Sequence, residues 1–261
     1  MNTLIHPVEI GIDQLLICLV LVMAAGLVSI LLKLKLEKDL LLGTIRTFAQ
    51  LLLVGYILGY IFRLNHPVPV LAYYGWMIFW AAQAVRSRTQ EQEVQIFTPT
   101  FISMIASYMV ITIMVTRVIV RVEPWYQPQY FLTLGGMIIG NSMTAISIAV
   151  GRLLSDIRQQ RQQVELALSL GATYREATQN LLRDAIQAGM IPSINALMTV
   201  GLVSLPGMMT GQILAGQPPT EAIRYQIIVM LMIVASVAIG CVIVVYIIRR
   251  LCFNTAHQLQ I

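Results

Sequence analysis

The chain has 261 residues, of which 57% are hydrophobic and only 11% are charged, with a formal net charge of +5 at pH 7. A soluble domain carries roughly 25% charged residues, so this composition excludes an ordinary soluble protein and requires lipid to cover much of the surface. The basic balance does not indicate nucleic-acid binding, because the Lys and Arg residues lie in short segments between apolar runs.

Seven apolar stretches follow one another along the chain, each about 18 residues or longer and therefore able to cross a bilayer as a helix. They are Gln14–Leu32, Leu40–Phe62, Pro67–Ala84, Thr100–Val120, Tyr130–Val150, Ala188–Leu205 and Tyr225–Ile248. The pattern predicts an all-α, polytopic membrane helical bundle of about seven transmembrane helices. We expect residues 1–261 to form one transmembrane domain.

The basic residues predict the orientation of these helices. Of the 17 Lys and Arg residues, thirteen fall on the side that we predict to be cytosolic and four on the other. The thirteen are Lys33, Lys35, Lys38, Arg46, Arg86, Arg88, Arg152, Arg158, Arg161, Arg175, Arg183, Arg249 and Arg250, and the four are Arg63, Arg117, Arg121 and Arg224. Positive residues resist translocation, which predicts an external N-terminus and a cytosolic C-terminus. Acidic rather than basic residues precede the first span, so we expect no cleaved signal peptide.

Several predicted spans carry polar side chains, whose burial in lipid costs free energy, about 2.5–3.5 kcal/mol for a charge at mid-span. Arg46 and Gln50 lie four residues apart on one helix face. One interpretation is a hydrated path across the bundle, and the other is ordinary hydrogen bonding between helices, with Arg46 reaching the inner interface. The candidates for the path are Arg46, Gln50, Gln83, Asn141, Ser142, Asn195, Ser204, Met208, Met209 and Gln212.

The connection between the fifth and sixth spans, residues 152–187, keeps apolar residues at helical spacing and so predicts helices. Gly171 suits the left-handed position just after a helix end, and Thr173 with Glu176 forms a capping box that opens the next helix. If the fifth helix continued unbroken to Leu170, it would be about 60 Å long, about twice the hydrocarbon thickness of a bilayer. We therefore expect a cytosolic helix-turn-helix elbow that offers a docking surface. A connector lying along the membrane surface is the alternative.

The stretch from Leu205 to Gly216 is apolar but holds one proline and three glycines, which predicts irregular backbone rather than a regular helix. Irregular backbone at membrane depth must be buried in protein or line a cavity. A broken or re-entrant helix and an outer loop folded onto the bundle both remain open. The 14 Met residues of the chain are better explained as packing than as iron ligands, because iron prefers oxygen and nitrogen donors. The residues themselves identify no metal site.

Motifs in this chain resemble those of two known protein families. Glu165-Leu166-Ala167, followed after three residues by Gly171, is similar to the Glu-Ala-Ala-x-x-x-Gly core of ABC importer permeases, whose loop forms the coupling helix on the ATPase subunit. That family's Ile-x-Leu-Pro after the glycine is not reproduced. A closer resemblance, to the FetB-type permeases, covers most of the chain through residues 46–52, 81–84, 135–143, 168–172 and 201–216.

The FetB-type resemblance implies a function in transport. It implies the transmembrane permease of an ABC transporter that exports iron from bacteria across the inner membrane, with ATP and Mg²⁺ bound by a separate FetA-like ATPase subunit. Plant relatives of the family are linked to aluminium tolerance and to nucleotide-sugar transport, so another cargo is the alternative. The coupling residues it implies are Glu165, Leu168, Leu170, Gly171, Ala172, Thr173, Tyr174, Arg175 and Glu176.

The chain contains no GxxxxGK[ST] phosphate loop. We therefore expect that this chain is not an enzyme and does not itself bind a nucleotide. One elbow per chain and a paired ATPase predict a homodimer. A secondary transporter driven by an ion gradient would need intramembrane carboxylates, and the predicted spans contain no Asp or Glu. An intramembrane enzyme would need a nucleophile and a base at membrane depth, which the spans also do not offer.

Overall fold

The computed structural model describes residues 11–89, 95–254 and 258–260, and apart from turns and two isolated backbone bridges they are helical. The helices are α1 (Ile12–Leu31), α2 (Glu37–Leu64), α3 (Pro67–Thr89), α4 (Phe97–Ile113), α5 (Pro128–Gln159), α6 (Arg161–Ser169), α7 (Tyr174–Ala177), α8 (Gln179–Thr199), α9 (Gly207–Leu214) and α10 (Pro219–Leu251). A π-helical segment, Met114–Ile119, extends α4. The prediction of an all-α polytopic membrane protein is confirmed.

Six of the described helices are long and apolar enough to cross a membrane, namely α1, α2, α3, α4 with its π-helical extension, α5 and α10. The predicted sixth span, Ala188–Leu205, does not form one apolar helix. Its helix α8 begins in a polar segment that includes Arg183 and Asp184, and it ends at Thr199. A tight turn then pairs Val200 with Ser204. The count of about seven apolar spans is therefore not confirmed.

The prediction of irregular backbone from Leu205 to Gly216 is wrong for most of that stretch. Helix α9 occupies Gly207–Leu214, and its first turn is closed by the Thr210 N–H, which donates to the Pro206 carbonyl at 3.0 Å. Pro206 sits just before the helix, where the missing N–H of proline does no harm. The irregular backbone is confined to the segments on either side of α9.

The described chain divides into two compact units. We call Met1–Leu64 with Gly211–Gln217 the hairpin unit, and Asn65–Thr210 with Pro218–Ile261 the bundle unit. That the chain forms a single transmembrane domain stays a prediction.

In the hairpin unit, α1 and α2 are joined by a tight turn in which Lys33 and Lys35 have positive φ angles of 52° and 60°. The Ser29 hydroxyl accepts a hydrogen bond from the Leu36 N–H at 3.0 Å and donates one to the Glu37 carboxylate at 2.9 Å. These bonds join the end of α1 to the start of α2. Most apolar side chains of both helices are exposed, as expected of helices that face lipid or another protein.

In the bundle unit, α5 is the central helix and packs against α3, α8 and α10. Its contacts with α8 and α10 depend on Gly189, because a Cβ atom there would lie 2.8 Å from the Ala145 carbonyl oxygen and from the Ala149 Cβ, and 3.1 Å from the Cys241 Sγ. Small residues at helix crossings let backbones approach closely, which is how helices associate in lipid. Helices α5, α8 and α10 are therefore tightly packed together.

Candidate functional site

The elbow lies at the C-terminal end of α5, and the condition of a fifth helix that runs unbroken to Leu170 is not met. Helix α5 ends at Gln159, and Gln160, with φ −102° and ψ 20°, separates it from α6. Residues 158–163 are six consecutive Arg and Gln residues, which give the helix no apolar face to hold it straight. Even so, the 32 residues of α5 extend about 48 Å, well beyond a hydrocarbon core of about 30 Å.

Gly171 ends α6 in the backbone conformation that the sequence predicted. Its φ angle is 93°, its N–H donates to the Leu168 carbonyl at 3.0 Å, and the Ala172 N–H donates to the Ala167 carbonyl at 3.0 Å. This pair of bonds is the Schellman motif, which satisfies the last carbonyls of a helix. No heavy atom lies within 4 Å of the position that a Cβ would take, so glycine is needed here for its φ angle and not for space.

The predicted capping box of Thr173 and Glu176 is confirmed. The Thr173 N–H and hydroxyl both donate to the Glu176 carboxylate at 2.8 Å, and the Glu176 N–H donates to the Thr173 hydroxyl at 3.3 Å. The bond from the Thr173 backbone, followed by that from its side chain, holds the pKa of Glu176 below its usual value. The helix that begins here, α7, is only four residues long. A break at the buried Thr178 separates it from α8.

The surface of the elbow is apolar at its tip. Leu166 and Leu170 are 61% and 80% exposed, on either side of the half-buried Leu168. Charged groups frame them, since Arg161 and Glu165 form an exposed ion pair of 2.8 Å. Exposed leucines framed by charged groups are typical of a surface that another protein covers.

A second feature of the elbow was not found from the sequence. The Tyr174 ring lies 5.4 Å from the Phe253 ring, and the Arg249 guanidinium lies 5.7 Å from the Tyr174 ring and 4.8 Å from the Tyr246 ring. Arg249 is only 3% exposed. The sequence showed Arg249 merely as one of the cytosolic basic residues, because no local pattern joins the end of α10 to α7. We call Tyr174, Tyr246, Arg249 and Phe253 the aromatic clamp.

The Tyr174 hydroxyl is also close to positive charge. Arg175 Nε donates to it at 3.2 Å. This hydrogen bond, with smaller contributions from the charges of Arg175, Arg249 and Arg250, lowers the pKa of Tyr174. The C-terminal end of α10 and the elbow therefore form one basic and aromatic surface.

The candidate path residues of α5 point in different directions. Ser142 is fully buried, and its Oγ lies 3.2 Å from the Oγ of Ser236 on α10. Asn141 is exposed and donates to the Met137 carbonyl at 2.8 Å. Asn141 also lines a pocket of about 200 Å³ between α5, α8 and α10, together with Thr144 and Ser193.

The other candidates in the bundle unit are spread over its surface and its interior. Asn195 and Ser204 are exposed, and Gln83 and Met208 are half-buried. Met209 is buried and lines an apolar pocket of about 370 Å³. In the hairpin unit, Arg46 and Gln50 are exposed on α2 and Gln212 is half-buried on α9. That these residues form one path stays a prediction.

The apolar pocket beside Met209 contains a polar residue that the sequence analysis missed. Gln226 of α10 is 5% exposed and lines the pocket. Its Oε1 has no hydrogen-bond partner in the described part of the chain. A glutamine seven residues after the start of α10 gave no signal in a sequence otherwise apolar enough to span a membrane.

Helix α4 contributes a buried row of hydroxyl groups, which the sequence analysis did not single out either. Its members are Thr100, Ser103, Ser107 and Thr112, and the row continues with Thr116 in the π-helical extension. Thr112 forms a 2.8 Å hydrogen bond with the buried Tyr74 hydroxyl of α3. The spacing of Thr100, Ser103 and Ser107 by three and four residues was the available signal, since it places these three on one helix face.

The C-terminal end of α5 holds a buried carboxylate. Asp156 is 4% exposed, and its Oδ2 accepts from Arg152 Nε at 2.7 Å. The fifth span predicted from the sequence ended at Val150, so this pair lay outside it, although the spacing of four residues on a helix indicates an ion pair. Among the described residues, no three His, Cys, Asp or Glu side chains lie together in a group that could hold a metal ion.

Comparison with known proteins adds to this geometry. A family model described as Uncharacterised protein family (UPF0014) matches residues 12–253. A UPF0014 membrane protein of Synechocystis is 39% identical, with 83% of each chain covered, and the UPF0014 membrane protein YjkA of Bacillus subtilis is 35% identical, with 95% of this chain and 97% of YjkA covered. The probable iron export permease protein FetB of Escherichia coli is 36% identical, with 95% of each chain covered. No solved structure matches.

Proposed function

The chain belongs to the UPF0014 family of membrane proteins, and from this we propose that it is the transmembrane permease subunit of an ABC transporter that exports iron or a related metal species. Its location is the bacterial inner membrane. A separate FetA-like ATPase subunit binds ATP and Mg²⁺, and this chain itself is not an enzyme. The support for the iron cargo is the name of the Escherichia coli relative, a probable iron export permease.

The observation that carries the proposal is the elbow surface. Leu166 and Leu170 are exposed beside a rigid Schellman turn at Gly171, well beyond the length of α5 that a bilayer can cover. Apolar side chains outside the lipid are stabilised when a protein partner buries them. The cleft of an ATPase subunit is such a partner, and it is the one used by the importer permeases whose motif the elbow resembles.

The packing of the bundle supports a mechanical role for the elbow. The elbow connects α5 to α8, and α5, α8 and α10 meet at Gly189, where a Cβ would lie 2.8 Å from α5 atoms. Closely packed helices slide or tilt together rather than bend independently. A push on the elbow by the ATPase would therefore move all three helices and alternate the access of the cargo path.

We further propose that two copies of the chain form the transporter. Asn141 and Asn195 are exposed on α5 and α8, and polar side chains at membrane depth are costly when they face lipid. An interface with a second permease would provide polar partners and water for them. The cargo path would then lie between the two copies.

Association with the ATPase tests the proposal. Gly171→Pro cannot adopt the φ angle of 93°, and Gly171→Glu adds strain and a charge at the docking surface. We expect both variants to reach the membrane but to retain at least about tenfold less co-expressed ABC ATPase on affinity purification, equivalent to about 1.4 kcal/mol of binding. Gly171→Asn is the matched control, because asparagine tolerates positive φ, and it should retain most of the ATPase.

Normal recovery of the ATPase with Gly171→Pro would contradict docking at the elbow.

Transport in proteoliposomes separates the remaining alternatives. We expect iron movement only when the ATPase and ATP are both present. Transport by this chain alone under an ion gradient would instead identify a secondary transporter, and ATP-dependent transport of a nucleotide sugar but not of iron would change the cargo.

A further inference from the structure

The buried Arg249 guanidinium is the least expected group at the inner end of the bundle unit. Arg249 is 3% exposed, and its Nε and Nη1 atoms are buried without a hydrogen-bond partner in the described part of the chain. Burying a charge without a paired group is strongly unfavourable. Some other interaction must hold the guanidinium in this place.

The faces of two tyrosine rings provide that interaction. Tyr246, one turn earlier on α10, lies 4.8 Å from the guanidinium carbon, and Tyr174, at the start of α7 in the elbow, lies 5.7 Å from it. A guanidinium over an aromatic face is attracted by the ring, most strongly when water is excluded. Phe253, at 5.4 Å, lies beside the Tyr174 ring.

We infer that Arg249 is a positioning residue that holds the elbow against α10 through Tyr174, so that a movement of the elbow is transmitted to α10. This inference rests on the proposed function. The clamp is suited to opening as well as to holding. When Tyr174 moves away, water reaches the guanidinium and its N–H groups gain hydrogen-bond partners, which offsets the lost ring contact. The closed and open arrangements are then close in free energy.

Arginine is needed at this position because its planar group stacks on rings, whereas a lysine ammonium is a compact and strongly hydrated charge. The neighbouring Arg250 provides a matched control. It has the same charge and is exposed, and its guanidinium stacks on no aromatic ring of the described residues. If only the positive charge mattered, substitutions of Arg249 and of Arg250 should have the same effect. If the aromatic clamp matters, only the substitution of Arg249 should have an effect.

The first experiment needs no ATPase. Cys252 and Cys241 are both fully buried, but Cys252 adjoins the clamp and Cys241 lies in the core of the bundle. Membranes are treated with a maleimide, and mass spectrometry of peptides measures the labelling of each cysteine. In Arg249→Gln and Tyr174→Ala we expect Cys252 to be labelled about tenfold faster, since labelling follows the population of the locally open state.

Labelling of Cys241 should stay slow in those variants, and Arg250→Gln should leave both cysteines unchanged. Tyr174→Phe, which keeps the ring, should also keep Cys252 protected. Unchanged labelling of Cys252 in Arg249→Gln would overturn the inference. Equal acceleration at both cysteines in Arg249→Gln, Arg249→Lys and Tyr174→Ala would also overturn it, because Arg249 would then only stabilise the fold.

The second experiment measures coupling in proteoliposomes that contain the ATPase. Arg249→Gln should keep association with the ATPase within about twofold but lower the iron transported per ATP hydrolysed about tenfold, a separation that loss of docking would not produce. Arg249→Lys should fall between it and the wild type. Unchanged transport per ATP in Arg249→Gln would contradict transmission through the clamp. If the wild type itself binds no ATPase, the proposed function fails, while the labelling result still decides whether the clamp exists.

Discussion

Single glycines determine how closely the helices of the bundle unit approach each other. Gly135 of α5 faces the buried ring of Tyr74, and a Cβ atom at this position would collide with that ring. Tyr74 cannot easily move away, because its hydroxyl is bonded to Thr112 at 2.8 Å and its ring packs edge-on against Phe131. Gly151, on the same helix, has no heavy atom within 4 Å of its Cβ position.

We therefore predict opposite effects of the same substitution at these two glycines. Gly135→Ala should lower the free energy of unfolding in detergent by about 1–3 kcal/mol, the usual cost of overpacking. Gly151→Ala should be neutral or raise it by up to about 1 kcal/mol, because alanine favours the helix. Thermal unfolding of the two purified variants measures the difference. Equal midpoints would mean that α3 and α5 do not pack at Gly135.

At the same scale, the residues that could be predicted from the sequence are those whose role is local. The positive φ of Gly171 and the pairing of Thr173 with Glu176 follow from residues within one or two turns. Arg249 and Tyr174 meet only because α7 and α10 are brought together by the fold, so no spacing indicated the contact. The buried hydroxyl groups of α4 were partly predictable. Their spacing could be seen in the sequence, but the residues that they contact could not.

Among the elements, the start of α7 depends on the protonation of one carboxylate. Glu176 accepts two bonds from Thr173 at 2.8 Å, and its pKa is held below the ordinary value of 4.5. A lowered pKa in the folded state means that the carboxylate stabilises the elbow fully above about pH 4.5, and that this stabilisation is lost as the pH falls through the lower folded pKa.

We predict that the amide protons of α7 lose protection against hydrogen exchange as the pH is lowered from neutral to about pH 3, after correction for the intrinsic exchange rate. Glu176→Gln should have less protection at neutral pH and show no such pH dependence. Thr173→Val, which keeps only the backbone bond, should lie between them. A pH dependence that persists in Glu176→Gln would show that another group controls the elbow.

For the long helices, the apolar pattern predicts that a helix exists but not where it ends. The existence of α5 and α10 was predicted because each is apolar over more than a bilayer thickness. The end of α5 was not, because the polar residues 158–163 permit either a continuous helix or a break. In the same way, α9 forms although it contains glycine, since a short apolar helix needs only a few backbone hydrogen bonds and a surface to pack on.

For the whole molecule, the distribution of basic residues predicts the orientation of the chain in the membrane, and this prediction can be tested. With an external N-terminus, Thr173 of the elbow is cytosolic and Gln217, before α10, is external. We predict that Thr173→Cys reacts with a membrane-impermeant maleimide in inverted vesicles but not in intact cells, and that Gln217→Cys shows the opposite pattern. Labelling of Thr173→Cys only in intact cells would reverse the orientation and exclude docking of a cytosolic ATPase.

The contact between Tyr174 and Arg249 also bears on the number of membrane crossings. Because the elbow touches the C-terminal end of α10, we expect the C-terminal ends of α5 and α10 to lie on the same side of the membrane, and α10 to start on the opposite side. We then expect the polypeptide between them to return across the bilayer, although α8 is too polar to qualify as an apolar span. This return would be a seventh traverse that lipid alone would not tolerate, so α8 would need protein or water along its polar flank. An amphipathic traverse of this kind is where a polar solute could cross.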